Sequence, residues 1–342
     1  MKHFFRPHRL AVILVAIITL AGAVRAQSAS TAGVKQGQRE VAVTIDDLPG
    51  LYVTRLDEQR AVIGSLLRSL AANKVPAIGF VNEKKLYERG RLDGQRVALL
   101  RDWLDAGQEL GNHTFSHVSA GAVPLAAYEQ DVIRGETVVK DLLQQRGMKL
   151  KYFRHPELKT GPTVAYRDAL DQFLAGRGYT TAPVTIDNQD FIFAAVYSRA
   201  KARGDKVMMK KVADDYIAYM EQVFKFFEEL SVETLGYEVK QTLLLHASEL
   251  NAEHLDELIA MLRGRGYRFV TLEEALSDDA YKLPAAQTTQ GLSWLHRWRL
   301  AKGLPLLMEP REPASIQRLY RQATPVSRGH AHAVTSPPRA AG

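Results

Sequence analysis

Asp46 and Asp47 close the run Val41-Ala-Val-Thr-Ile-Asp-Asp, and His113 and His117 follow downstream in His-Thr-Phe-Ser-His. Two imidazoles and one carboxylate make an N,N,O donor set for a borderline divalent ion, and a second carboxylate is left over. That combination suits metal-assisted hydrolysis. The ion polarises a carbonyl and acidifies a water, while the spare carboxylate, Asp46, takes the proton. If the histidine segment is helical, two imidazoles four residues apart lie on one face. Arg154, Asp187, Asp190 and His246 are further polar candidates, each just beyond a short apolar run.

The elements that must position these residues are legible in the periodicity. Apolar stretches of strand length recur at 41–45, 77–81, 152–153, 181–186, 242–245 and 267–270, with a short one near 109–110. Between most of them lie helix-period stretches at 58–72, 95–106, 125–145, 164–175 and 252–263. Strands alternating with helices predict a parallel sheet, and about seven such units predict an α/β fold closed as a distorted (β/α) barrel. No glycine-rich phosphate loop follows the first strand. In such barrels the reacting groups sit at strand C-termini or in the loops after them. Asp46, Asp47, His113, His117, Arg154, Asp187, Asp190 and His246 all satisfy that rule.

The chain has 342 residues, 46% of them hydrophobic and 24% charged, as in ordinary globular proteins. Its first residues read as an export signal, 1–26: Lys2, Arg6 and Arg9 form a basic start, Leu10 to Ala23 is almost wholly apolar, and Val24-Arg25-Ala26 offers small residues for cleavage. A retained membrane anchor is the alternative, and with cleavage no stable membrane insertion remains. The mature protein is expected in the periplasm or secreted. There is no cysteine, so no disulfide or thiolate ligand is available. The formal charge of +7 includes Lys2, Arg6, Arg9 and Arg25, and without these four it is +3, too mild for a nucleic-acid partner.

Residues 27–39 read as a flexible leader, and 40–280 as the catalytic-type domain. Within that domain a helical insertion, about 192–240, breaks the rhythm and is expected over one rim; its charged positions read as a solvated face. Residues 281–322 form a C-terminal extension in which 291–298 reads as an amphipathic helix packing back on the barrel. The composition of 323–342 is that of a disordered tail.

Five segments in order carry a family resemblance: Thr44-Ile-Asp-Asp-Leu-Pro49, His113-Thr-Phe-Ser-His117, Phe153-Arg-His-Pro156, Asp187-Asn-Gln-Asp-Phe191 and Leu244-Leu-His246. From about Glu40 to Leu276 the chain resembles the NodB-homology polysaccharide deacetylases, carbohydrate esterase family 4. The resemblance implies that Asp47, His113 and His117 hold one divalent metal, zinc first, with Co2+, Ni2+ or Mn2+ also compatible. It implies Asp46 as general base, Arg154 keeping Asp46 ionised, His246 as general acid tuned by Asp190, and Leu244 lining the pocket for the acetyl methyl. The oxyanion would rest on the metal and a backbone N–H near Glu157. Arg154 and Asp190 have a bland alternative, a structural ion pair.

Three departures bear on substrate. Leu48 stands where the pattern has glycine and is expected to narrow the mouth, Phe191 stands where tryptophan is common, and Glu157 follows Pro156 in place of an aromatic. Pro156, Glu157 and Phe191 join Leu244 as expected substrate contacts. The implied activity is removal of N-acetyl groups from amino-sugar units of an acetylated glycan. Alternatives are an O-acetyl esterase or deformylase on a glycan or lipid-linked sugar, and a sugar-binding protein with an idle site. Glycan identity, chain length and oligomeric state are not readable.

Overall fold

The structure, a computed structural model, describes Met1 and residues 39–323. The expected signal (1–26), leader (27–39) and tail (323–342) lie outside the described residues except for Met1, Arg39 and Ala323. Arg39 already belongs to the first strand, and Ala323 ends the last helix.

Seven parallel strands form the central sheet: β1 Arg39–Leu48, β2 Ala77–Val81, β3 Glu109–Asn112, β4 Tyr152–Phe153, β5 Thr180–Thr181, β6 Gln241–His246 and β7 Tyr267–Val270. β1 is buried continuously from Val41 to Leu48, as expected of a strand covered on both faces. One edge of β1 pairs with β6 over Val41–Asp46. The other is shared, with Arg39–Ala42 on β7 and Val43–Leu48 on β2. From β2 the order runs outward through β3 and β4 to β5. The chain beyond β5 then bridges back to β6: Ile186 pairs with Leu243, its N–H donating to the Thr242 carbonyl at 3.0 Å and its carbonyl accepting from Leu244 at 3.1 Å. The sheet therefore curls into a distorted barrel whose last side is a single bridge. The strand expected over 181–186 is accordingly two short pieces.

Helices cover the outside: α1 Leu56–Asn73, α2 Gly94–Asp105, α3 Leu125–Arg134, α4 Thr137–Gln144, α5 Val164–Gly176, α6 Asp190–Ala202, α7 Lys206–Leu235, α8 Glu249–Gly264, α9 Leu272–Leu276, α10 Trp294–Ala301 and α11 Ala314–Ala323. Their apolar stripes explain the packing. Val62, Ile63, Leu66 and Leu70 of α1, and Leu255, Leu258, Ile259 and Leu262 of α8, recur at helical spacing and enter the main core. Side-chain caps set several starts, among them Thr163 for α5 and Ser248 for α8.

Two expectations need correction. The helix anticipated over 125–145 is broken at Gly135 into α3 and α4. The helical insertion does not cap a rim; α6 and α7 lie on the barrel flank. Near the strand C-termini the Tyr219 hydroxyl of α7 accepts from the Gln189 N–H at 3.2 Å, while at the opposite end Glu228 pairs with Arg39 at 3.2 Å and Arg265 at 2.6 Å. Met220, Phe224 and Phe227 between these points belong to the main core. A 30-residue amphipathic helix is long enough to run the height of the barrel, and burying its apolar stripe decides where it lies. α10 packs back as expected, with Leu295 and Trp298 in the same core. Among the described residues, no helix is long and apolar enough to cross a membrane.

Candidate metal and acid-base site

Successive residues of a strand normally point to opposite faces, which would separate Asp46 from Asp47. A bulge removes the problem. Ile45 is level with Gly79 and Leu48 with Val81, so three steps on β1 match two on β2, and Asp47 takes a left-handed conformation with φ of 70°. Both carboxylates consequently reach the histidines: Asp46 Oδ2 lies 3.6 Å from His113 Nε2, and Asp47 Oδ1 lies 3.7 Å from His117 Nε2. Both are buried. Leu48 turns the other way into the core against Gly79, where a β-carbon would meet it at 2.5 Å, so it does not narrow the mouth as its sequence position implied.

The His113–His117 segment follows β3 and is a loop, not a helix. Thr114 and His117 adopt φ of 62° and 60°, and the Thr114 hydroxyl accepts the His117 N–H at 3.0 Å. This tight turn brings the two rings to 4.9 Å between centroids. Asp131 at the end of α3 grips the loop, accepting the Ser116 N–H and hydroxyl, each at 2.9 Å. The Nδ1 of His113 meets the Arg154 carbonyl at 2.9 Å, which places the proton on Nδ1 and leaves the Nε2 lone pair facing the carboxylates.

Ligand atoms of Asp47, His113 and His117 all lie within 4.8 Å of one another. Burial lowers the His113 pKa well below its ordinary value, aided by His117, and burial likewise lowers His117. Both imidazoles are thus neutral donors. Burial would raise Asp47, but the opposing charges, led by Lys85, overcome it and hold the carboxyl well below the usual range. Asp47 Oδ1 is buried and lies 3.1 Å from Lys85 Nζ without hydrogen-bond geometry. An ionised carboxylate and two neutral imidazoles, oriented with spare lone pairs, fit a divalent cation.

Asp46 is raised to about 6, first by burial, with the Arg154 charge opposing it. Arg154 is fully buried, over Phe80 at 4.8 Å, and donates to the Thr44 hydroxyl at 2.9 Å. It acts on Asp46 through its charge, while Thr44 takes the hydrogen bond. Its effect on Asp46 has the direction the resemblance implies, favouring the ionised carboxylate, and is exerted by charge. Arg154 and Asp190 do not form a pair with each other.

Asp190, the first residue of α6, is bound to His246 at the end of β6. Its Oδ1 lies 2.7 Å from His246 Nδ1, and Oδ2 accepts the His246 N–H at 2.8 Å and Asn251 Nδ2 at 2.7 Å. Burial would lower the imidazole pKa, but the charge and hydrogen bond of Asp190 prevail and raise it to about 9. Asp46 pairs in register with His246 across β1 and β6, so this carboxylate and this imidazole stand at the same end of the barrel.

The remaining expected contacts surround this centre. Phe191 sits edge-on to His246 with centroids 6.2 Å apart, and Leu244, two residues before His246, joins a small cluster with Leu158 and Val184. Pro156 is buried. Glu157, at φ of 55°, has its carboxylate 2.6 Å from Lys159 Nζ, which reduces the isolated negative charge expected there. Asp187 accepts the Asn188 N–H at 2.8 Å, and burial, with the charge of Glu309 of the extension, raises its pKa well above the ordinary value.

Sequence reading passed over Lys85, Asn251 and Tyr52. Lys85 lies just beyond β2 and satisfies the same strand-end rule as the other candidates, so the signal was present. Asn251 is three residues into α8, where nothing local marks it. Tyr52, at φ of 61°, shares a hydrogen bond with Tyr320 of α11, a contact 268 positions away along the chain.

Residues 33–175 match the family model described as polysaccharide deacetylase, a stretch holding the first three of the five segments. Similar solved structures include a mutant of peptidoglycan deacetylase PdaC from Bacillus subtilis, at 18% identity over 70% of this chain and 93% of that one, TM-score 0.43. A family 4 carbohydrate esterase from Streptomyces lividans in complex with acetate matches at 17% over 69% and 95%, TM-score 0.42. A carbohydrate esterase family 4 pseudoenzyme from Bacillus anthracis matches at 15% over 70% and 66%, TM-score 0.45. No curated protein matches the chain.

Proposed function

We propose that this chain, which over residues 33–175 matches the polysaccharide deacetylase family model, is an exported metal-dependent hydrolase that removes N-acetyl groups from amino-sugar units of a poly- or oligosaccharide. The observation that carries this reading is the meeting at one barrel mouth of the Asp47, His113 and His117 trio, the spare carboxylate of Asp46 and the Asp190–His246 pair.

Asp47, His113 and His117 would hold the metal, zinc first with Co2+, Ni2+ and Mn2+ compatible with the same donors, and when bound it would supply Lewis acidity toward the acetyl carbonyl and toward a water. Asp46 takes the proton of the attacking water. Its raised pKa makes it a stronger base than an ordinary aspartate, while the Arg154 charge keeps it from rising further. His246, kept protonated by Asp190, delivers a proton to the departing nitrogen. The backbone N–H of Glu157 faces the developing oxyanion, and Leu244 faces the acetyl methyl. Pro156 and Phe191 bound the mouth. The site lies beyond the export signal read at 1–26, so the protein acts in the periplasm or outside the cell.

The deciding measurement is acetate release from N-acetylglucosamine oligomers by the purified protein, before and after chelation and after zinc is returned. Release that stops with chelation and resumes with zinc supports the reading. No release from the oligomers by zinc-replete protein, with hydrolysis of O-acetylated glycans instead, moves the bond cleaved to an ester.

A further inference from the structure

Leu244 does not belong to the main core. With Leu158 and Val184 it forms a separate buried cluster, and the aromatic packed against it is Trp294, the first residue of α10. On β6, Leu244 and His246 are two residues apart and share a face, so this cluster lies one layer beneath the imidazole. The barrel therefore obtains part of its apolar lining from a segment outside the barrel.

The extension is fastened to the neighbouring loop with unusual closeness. At Gly291 a β-carbon would fall 1.8 Å from the Glu157 carbonyl oxygen, so only glycine permits the approach. The Trp294 N–H donates to the Val184 carbonyl at 2.6 Å. Arg297 is buried; its Nη2 donates to the Leu158 carbonyl at 2.8 Å, and its guanidinium lies 5.0 Å from the centre of the Trp294 ring. One cation thus holds both Leu158 and Trp294 in place beside Leu244. Leu158 itself is held at φ of 54°, directly after Glu157 at 55°, a pair of left-handed residues whose conformation the surrounding contacts must maintain.

We propose that the C-terminal extension supplies the acyl-recognition wall of this site, with Trp294 as the residue that limits the accepted acyl chain to acetyl. The proposal rests on the deacetylase reading above, in which Leu244 faces the acyl methyl. A rigid indole next to Leu244 and Leu158 leaves room for a methyl group and obstructs the added methylenes of propionyl or butyryl, and Arg297 prevents the ring from yielding.

The test compares full-length wild type, Trp294→Ala and Trp294→Phe, all zinc-replete, in hydrolysis of 4-nitrophenyl acetate, propionate and butyrate. Binding of acetate and butyrate is measured on the same samples by calorimetry. Trp294→Ala is expected to raise the butyryl-to-acetyl ratio of kcat/KM by roughly 10–200-fold, the usual range for pocket discrimination among added methylenes, and Trp294→Phe by less. The butyrate-to-acetate binding ratio should rise in parallel. Ratios unchanged within twofold in both assays overturn the proposal, whereas a uniform fall for all acyl lengths assigns Trp294 a purely structural part and also overturns it. If wild type hydrolyses none of the esters and releases no acetate from N-acetylglucosamine oligomers, the deacetylase reading fails, and the calorimetric ratio still decides whether Trp294 bounds an acyl-sized pocket. If Trp294→Ala does not fold, Trp294→Phe carries the comparison.

Discussion

Gly135, at the break between α3 and α4, lies against the backbone of the histidine loop: a β-carbon there would stand 2.4 Å from the Thr114 carbonyl carbon and 2.5 Å from the Phe115 nitrogen. Both neighbours are backbone, so neither can turn aside. Gly135→Ala is therefore expected to displace the loop carrying His113 and His117 and to lower stability by about 1–3 kcal/mol, the usual cost of overpacking. Metal affinity should fall at least tenfold, measured by competition with a chromogenic chelator. Unaltered affinity would mean that the loop absorbs the shift without moving the imidazoles.

Lys85 places a positive charge 3.1 Å from Asp47 Oδ1. It opposes any cation at the same oxygen. Lys85→Met is expected to tighten zinc binding by roughly tenfold or more, since removing a partly screened like charge that shares the Asp47 carboxylate is worth on the order of a kcal/mol or more. The same chelator competition checks the sign: weaker binding in the variant would show that Lys85 chiefly orients Asp47, through its 3.2 Å hydrogen bond to the Asp47 carbonyl.

Asp46 is close to His113 but outside the trio that offers one ligand atom each. Asp46→Asn should retain stoichiometric metal while lowering kcat by roughly 10²–10⁴, the worth of a positioned base. Metal analysis and turnover on one sample separate the two effects, and loss of metal would move Asp46 into the ligand set.

Asp190 raises His246 from 6.5 to about 9. A group whose pKa rises on folding gives stability that is fully present below its unfolded value and is lost as pH climbs through the folded one. In metal-free protein, the Tm deficit of Asp190→Asn should therefore be largest below pH 6.5 and shrink as pH rises toward 9. The variant should also lose amide hydrolysis far more than hydrolysis of an activated ester, whose leaving group needs no acid. Equal losses on both substrates would remove His246 from that role.

Export predicts a mature N-terminus near Gln27, read by mass spectrometry of protein from the periplasm or medium. An intact Met1 in the membrane fraction would replace cleavage with a retained anchor.

The inserted helices are part of the barrel's structure and not a separable cap. Tyr216, Phe224 and Phe227 are core residues, so their removal should unfold the barrel. Helical periodicity made α7 visible in the sequence, but the same periodicity serves a cap or a flank. Which one results depends on what the apolar stripe meets, and that is a property of the assembled molecule.

By itself the sequence determined the alternation of strands and helices, and hence the barrel, because period-2 and period-3.6 patterns are local. It also determined which groups stand at strand ends: Asp46, Asp47, His113, His117, Arg154, Asp190 and His246 were all legible, since the register of a strand sets where it stops. Only the tertiary structure decided how they face each other. The bulge that turns Asp46 and Asp47 to one side depends on the pairing of β1 with β2, and the loop that joins His113 to His117 depends on Asp131 and Gly135. Arg154 acts on Asp46 by charge while its hydrogen bond goes to Thr44, on the same strand as Asp46 and across the barrel from the strand that precedes Arg154. Lys85, Asn251 and Trp294 reach the site from segments far apart in the chain, and contacts of that kind arise from closure of the barrel, which no local pattern encodes.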